Sequence, residues 1–189
     1  MYHVAVIGAN FGDEGKGQMV DYFAATRNYS SVIRYNGGSQ AGHTVVTPSG
    51  EEHIFSQIGS GAFHGLPTHL SRFMLVNPVY FMREYDILSA KVDFRPSISI
   101  DPTASIITPW DVEANRKVEL SNTIRHGSVG HGINATLTRA VHDRYCLTYE
   151  MLERMSHDQI RTVKYAAIHV FSKALKVFCS IRIAASFRM

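Results

Sequence analysis

The feature that most constrains this chain lies at its start. A short apolar run, "HVAVIG" (residues 3–8), leads into "ANFGDEGKGQ", and then into "KGQMVDYFAATR" with Met19, Val20 and Phe23 on one side. Strand, glycine-rich loop, helix is an order that aims free backbone N–H groups at an anion. It predicts a buried strand over residues 3–8 ended by Gly8, and a helix from about Gly15. Lys16 supplies a point charge to match. The loop departs from the common nucleotide pattern GxxxxGK[ST]: six residues rather than four separate Gly8 from Gly15, and Gly17 stands in the Ser/Thr place. A glycine-rich surface turn with solvated charges is the plainer alternative. Against it stand Asp13 and Glu14, which would repel a phosphate unless a cation lies between or one carboxylate serves as a base. Asp13 therefore implies Mg²⁺ ligation, proton abstraction, or both.

Further along, strand-like and helix-like stretches alternate. "SVIRY" (31–35) stops at Gly37-Gly38, "HTVV" (43–46) resumes it, and "TPSGEE" turns into "HIFSQI". A strand over Phe73–Val76 breaks at Pro78 and continues as a helix. "PSISIDPTASIIT" reads as strand and loop, and "PWDVEANRKVEL" as a helix with Pro109 in its first turn. The alternation predicts an α/β domain: a mainly parallel sheet, flanking helices and a P-loop-like phosphate site. The loop "YNGGSQAGHTVV" adds Gly37, Gly38 and Gly42, which permit close backbone approach to a ligand, and His43 directly before a strand. Ligands bind at that edge of open α/β sheets.

Charge is unevenly distributed. Of 19 Lys and Arg, six fall after Asp158, where no acid occurs, so the preceding residues carry thirteen bases against all 16 acids. The overall +3 thus belongs to the tail, and the body offers no basic surface for nucleic acid. No signal peptide and no membrane-spanning run are visible, and Cys146 and Cys179 lack metal-like spacing, so a reducing cytoplasm is the expected setting.

With both loops in view, the chain resembles the adenylosuccinate synthetase family, in which a strand leads into W-G-D-E-G-K-G and R-x-N/Q-G-G-x-N-A-G-H-T-V follows. Here these stand as "NFGDEGKGQMVD" and "VIRYNGGSQAGHTVV", and "HGSVGHGIN" (126–134) echoes the family's G-T-T-G-R-G-I-G. The resemblance covers about residues 3–145. It divides the chain into a nucleotide-binding part, residues 1–145, partial relative to the full family fold, and a helical basic tail, 146–189, without resemblance. The tail is read as a terminal core helix, a basic membrane-surface helix, or a truncated or frameshifted end.

The resemblance implies GTP-dependent joining of IMP and L-aspartate to adenylosuccinate, with Mg²⁺ as cofactor and a homodimer as the assembly. By that similarity Asp13 is the base and, with the Gly42 carbonyl, the Mg²⁺ ligand, while His43 is the acid. Gly12, Asp13, Glu14, Gly15, Lys16, Gly17, Gly42, His43 and Thr44 would hold GTP and its phosphates. Asp13–Lys16, Gln40, Ala41, Gly42, His43, Ser128 and Arg139 would line the IMP site. Phe11 replaces the family's Trp, Gln40 an Asn, and Val129 a Thr, which leaves Ser128 to carry a phosphate contact. Arg139 and Arg144 are the candidates to cross the dimer interface. The alternatives are a nucleotide-binding fragment without turnover, a phage-type enzyme acting on a guanine nucleotide, and a plain P-loop phosphotransferase. Asp13 favours IMP, since some phage relatives carry a smaller residue there.

Overall fold

The computed structural model describes residues 3–121, 129–142 and 148–154. The tail helix predicted after residue 154, both cysteines, Ser128 and Arg144 lie outside them. A parallel sheet organises the rest. Strand β1 (Val32–Gly38) pairs with β4 (Thr68–Val76), whose other edge takes β5 (Ile98–Ile100) near its start and β6 (Ser105–Ile106) near its end, all in parallel. β2 (His43–Val46) and β3 (Glu52–Phe55) form a separate antiparallel ribbon, so "HTVV" does not resume β1 as expected. The helices are α1 (Lys16–Thr26), α2 (Pro78–Ser89), α3 (Pro109–Ser121), α4 (Ile133–His142) and α5 (Tyr149–Arg154), with a 3-10 turn at Ser60–His64. The α/β class and mainly parallel sheet match the expectation. No helix of the described residues is long and apolar enough to cross a membrane.

The predicted strand over residues 3–8 is not in the sheet. That segment lies outside any strand, with Val4 50% and Ile7 83% exposed. An apolar run becomes a strand only when a neighbour takes its backbone groups, and none of the described strands pairs with it. One sheet face is also apolar and exposed around Ile33, Tyr35 and Phe73, the last two with ring centroids 5.1 Å apart.

The core lies between the sheet and α2. Asn77 caps that helix by accepting from the N–H groups of Val79 and Tyr80, and Pro78 fits the first position, where no N–H partner is needed. Phe81, Tyr85 and Leu88, spaced on one helical face, then pack with Phe55, Ile58, Leu70, Met74 and Ile106. Glu84 shares that buried side. Its carboxylate accepts from the N–H groups of Ser56 and Gln57, both at 2.8 Å, and of Ile58 at 3.0 Å, which fixes the segment after β3.

His53 is buried against the edges of Phe55 and Phe63, and its Nε2 has no partner. Burial, aided by the Lys91 charge and opposed by Glu51, pulls its pKa down to about 4. An unfolded histidine titrates near 6.5, so below that pH the unfolded chain takes up a proton that the folded one refuses. Stability is therefore lost as pH falls from about 6.5 to about 4, by up to about 3 kcal/mol. Thermal melts across this window should show that slope in the wild type and a flatter one in His53→Leu. An unchanged slope in the variant would remove His53 as its source.

Candidate active site

Two glycine-rich loops meet at the N-terminus of α1. A Cβ placed on Gly17 would lie 2.6 Å from the Cβ of His43, so bare backbone at the helix start is what lets β2 approach. This explains why Gly occupies the Ser/Thr place of the common pattern: the gap is taken by His43. The Ser60 hydroxyl donates to the Gly17 carbonyl at 2.7 Å, and His64 bonds Asp21 at 2.9 Å, so the 3-10 turn fixes α1 from below. Gly15, at φ 67, starts the helix with no side-chain cap.

The two acids of the first loop have separate fates. Glu14 turns inward: it accepts from the N–H groups of Ala9 and Asn10 at 2.6 and 2.7 Å and pairs with the Lys16 ammonium at 2.7 Å. These partners, Lys16 first, hold its carboxyl below the usual range. Asp13 turns outward. It is exposed, makes no hydrogen bond or ion pair, and is the one non-glycine residue among those described with positive φ, at 52°. Strained backbone of this kind costs of order 1–3 kcal/mol and concentrates where a side chain must be presented. The uncommitted carboxylate is thus the one the backbone is bent to display.

His43 is partly buried at the start of β2. Burial first, then the charges of Arg34 and Lys16, lower its pKa, which favours the neutral imidazole. The same two cations make its surroundings electropositive. Arg34 itself donates to the Ser56 carbonyl at 2.7 Å, lies within the field of Glu84, and keeps its Nε buried without a partner. Of the remaining predicted contacts, Gln40 and Gly42 are exposed, Ala41 is half-buried, and its N–H reaches the Gly38 carbonyl at 3.4 Å; Thr44 is exposed beside His43.

The third motif joins the second loop through a residue the sequence did not single out. His131 stacks on Tyr80, with centroids 4.5 Å apart and planes 15° from parallel, and its Nδ1 lies 3.1 Å from the buried Ser39 hydroxyl. Gly132, at φ 86, passes so close to the start of α3 that a Cβ would lie 2.9 Å from the Val112 nitrogen. Arg139, predicted to meet IMP or a dimer partner, is engaged within its own chain. It pairs with the buried Asp111 at 2.9 and 3.0 Å and donates to the Ile106 carbonyl at 3.2 Å, tying α4 to α3 and β6. Burial pushes the Asp111 carboxyl up, but the bonds from Arg139 and Thr108 outweigh it and hold the pKa low. Among the described residues no cluster of three or more His, Cys, Asp or Glu could hold a metal unaided.

Comparison with known proteins bears on the family and the fold. The adenylosuccinate synthetase family profile matches residues 5–183. The adenylosuccinate synthetase of Borrelia turicatae is 30% identical over 173 residues, 92% of this chain and 36% of that protein. That of Syntrophobacter fumaroxidans is 35% identical over 137 residues, 70% of this chain and 31% of its own length. The chain thus spans about a third of the curated relatives it matches. Among solved structures, fully ligated adenylosuccinate synthetase from Plasmodium falciparum superposes with a TM-score of 0.74 at 17% identity, over 92% of this chain and 43% of that one. The succinoaminodeoxyadenylate synthetase of cyanophage S-2L, bound to dGMP and dATP, reaches 0.60 at 18% identity, over 76% of this chain and 39% of that one. By the extent of its profile match, the chain is a member of the adenylosuccinate synthetase family.

Proposed function

We propose that this chain carries the phosphate- and purine-handling part of a GTP-dependent ligase that joins IMP and L-aspartate. The observation that carries this reading is the contact of Gly17 with His43, which brings the GDEGKG and AGHT loops together. In this reading Asp13 removes the N1 proton of IMP, and the resulting O6 nucleophile attacks the γ-phosphate of GTP, releasing GDP. The aspartate amine then displaces phosphate from C6 to give adenylosuccinate. His43, as the acid, donates a proton or hydrogen bond to the phosphate oxygens as charge builds on them, and Lys16 with the loop amides holds phosphate. The exposed, unpaired Asp13 carboxylate and the Gly42 carbonyl suit Mg²⁺, which takes one or two carboxylates and completes its shell with phosphate and water. Bound there, the metal would neutralise charge on the transferring phosphate.

Gln40 and Ala41 contribute to the purine side, and Ser128 to the nucleotide phosphate. A homodimer follows from the resemblance, with Arg139 and Arg144 the candidates to cross it; Arg139 also pairs with Asp111 within its own chain. The second reading is nucleotide binding without turnover. Purified protein should form adenylosuccinate from IMP, GTP, Mg²⁺ and aspartate. Binding of IMP by calorimetry with no product at high protein concentration would replace ligation by the second reading. Turnover with dGMP but not IMP would assign the guanine nucleotide instead.

A further inference from the structure

The first loop is closed on an anion that the chain itself supplies. Two successive backbone N–H groups, of Ala9 and Asn10, and the Lys16 ammonium converge on one carboxylate, that of Glu14, all within 2.7 Å. Gly8 completes the enclosure: a Cβ there would lie 2.2 Å from one Glu14 oxygen and 2.7 Å from the Lys16 nitrogen. Consecutive amides plus a lysine are the donor set that a phosphate oxygen takes in a nest of this kind. The two amides cannot serve Glu14 and a phosphate at once, because each N–H has one hydrogen to give; the ammonium, with three, is drawn to the carboxylate while the site is empty. Asp13, one residue away, makes no such contact.

We infer that Glu14 is an internal stand-in for phosphate, a competing anion that a nucleotide phosphate must displace to enter the cradle. The inference rests on reading this loop as the phosphate site. It gives Glu14 a role distinct from binding: it keeps the donors satisfied and the loop shaped while the site is empty. It also sets a charge threshold, since a carboxylate with one charge gives way to a polyphosphate more readily than to a monoanion.

Titration of the full chain with pyrophosphate, in calorimetry at fixed ionic strength, tests this with Glu14→Ala, Glu14→Gln and Lys16→Ala. Removing the competitor should tighten pyrophosphate binding about tenfold in Glu14→Ala, and less in Glu14→Gln, which keeps the shape without the charge. Lys16→Ala should weaken it about tenfold or more. Should Glu14→Ala fail to fold, Glu14→Gln decides by the same criterion. Unchanged or weaker binding in the Glu14 variants, with Lys16→Ala still impaired, would overturn the stand-in role and leave the cradle intact. No pyrophosphate binding by the wild type or the Glu14 variants would overturn both.

Discussion

Glu84→Ala is expected to destabilise the fold by about 4 kcal/mol, more than any other single truncation of a polar side chain in the core. Three backbone N–H groups, of Ser56, Gln57 and Ile58, would lose their acceptor inside the protein at once. Each such orphan costs roughly 1–3 kcal/mol when water cannot reach it. The second loss is electrostatic. Arg34 is mostly buried, and burial pulls its pKa down while the Glu84 charge holds it up. Without Glu84 that guanidinium keeps its bond to the Ser56 carbonyl but has no counter-charge. The two losses are coupled through one backbone segment, so they do not simply add. Glu84→Gln separates them. Its amide oxygen can still serve Ser56 and Ile58, which share one carboxylate oxygen, but its NH₂ would face the Gln57 N–H. About half the loss is expected for Gln, read from urea unfolding midpoints at constant slope. Equal stability of wild type and Glu84→Ala would mean that the loop after β3 is not held by this carboxylate.

The same network bears on the site. Arg34 sits in β1 with a register shift between it and Asn36, and its charge reaches His43. Loosening the segment that holds Arg34 should therefore disturb His43, and it reaches α1 as well through Ser60, two residues after Ile58, whose hydroxyl donates to the Gly17 carbonyl.

What the sequence made legible follows from how locally each feature is determined. The helix at Pro78 and the helix at Pro109 were readable because a proline at the first turn and a one-sided apolar pattern are local signals. The pairing of the two glycine loops was readable only as a resemblance; the reason for Gly17, contact with His43, needs the fold. The strand predicted over residues 3–8 failed because apolar character specifies burial, and burial requires a partner strand that no sequence window contains. β4 was found only from Phe73 onward, since its first half alternates with polar residues: Thr68 and His69 are held by pairing with β1 and β5, while Ser71 and Arg72 lie at the register shift against β1. Glu84 and His131 were missed for a related reason. An acid within a helix reads as solvated until the helix is known to bury that face, and a histidine between glycines reads as a loop until Tyr80 and Ser39 are placed beside it.

Asp13→Asn is the substitution expected to act most strongly on chemistry, lowering kcat by about 10²–10⁴-fold, the range over which a positioned general base acts. Asparagine suits the test because it tolerates the left-handed conformation that residue 13 adopts at φ 52, so loop shape and melting temperature should be unchanged. Asp13→Ala would confound charge with strain. The asparagine oxygen can still touch Mg²⁺, but it neither takes a proton nor supplies a negative charge. The two roles of Asp13 are then separable by titrating the metal. Where ligation alone matters, raising Mg²⁺ to saturation should restore the rate of Asp13→Asn, because the weaker site is simply filled. Where proton removal matters, saturating Mg²⁺ should leave kcat low, and raising the pH toward the N1 pKa of IMP should recover part of it, since a substrate already deprotonated needs no base. The second pattern is the expected one: an unpaired, exposed carboxylate beside a Glu14 that is fully engaged is the loop's one acid available to receive a proton. A kcat within about threefold of wild type at all Mg²⁺ concentrations would remove Asp13 from both roles.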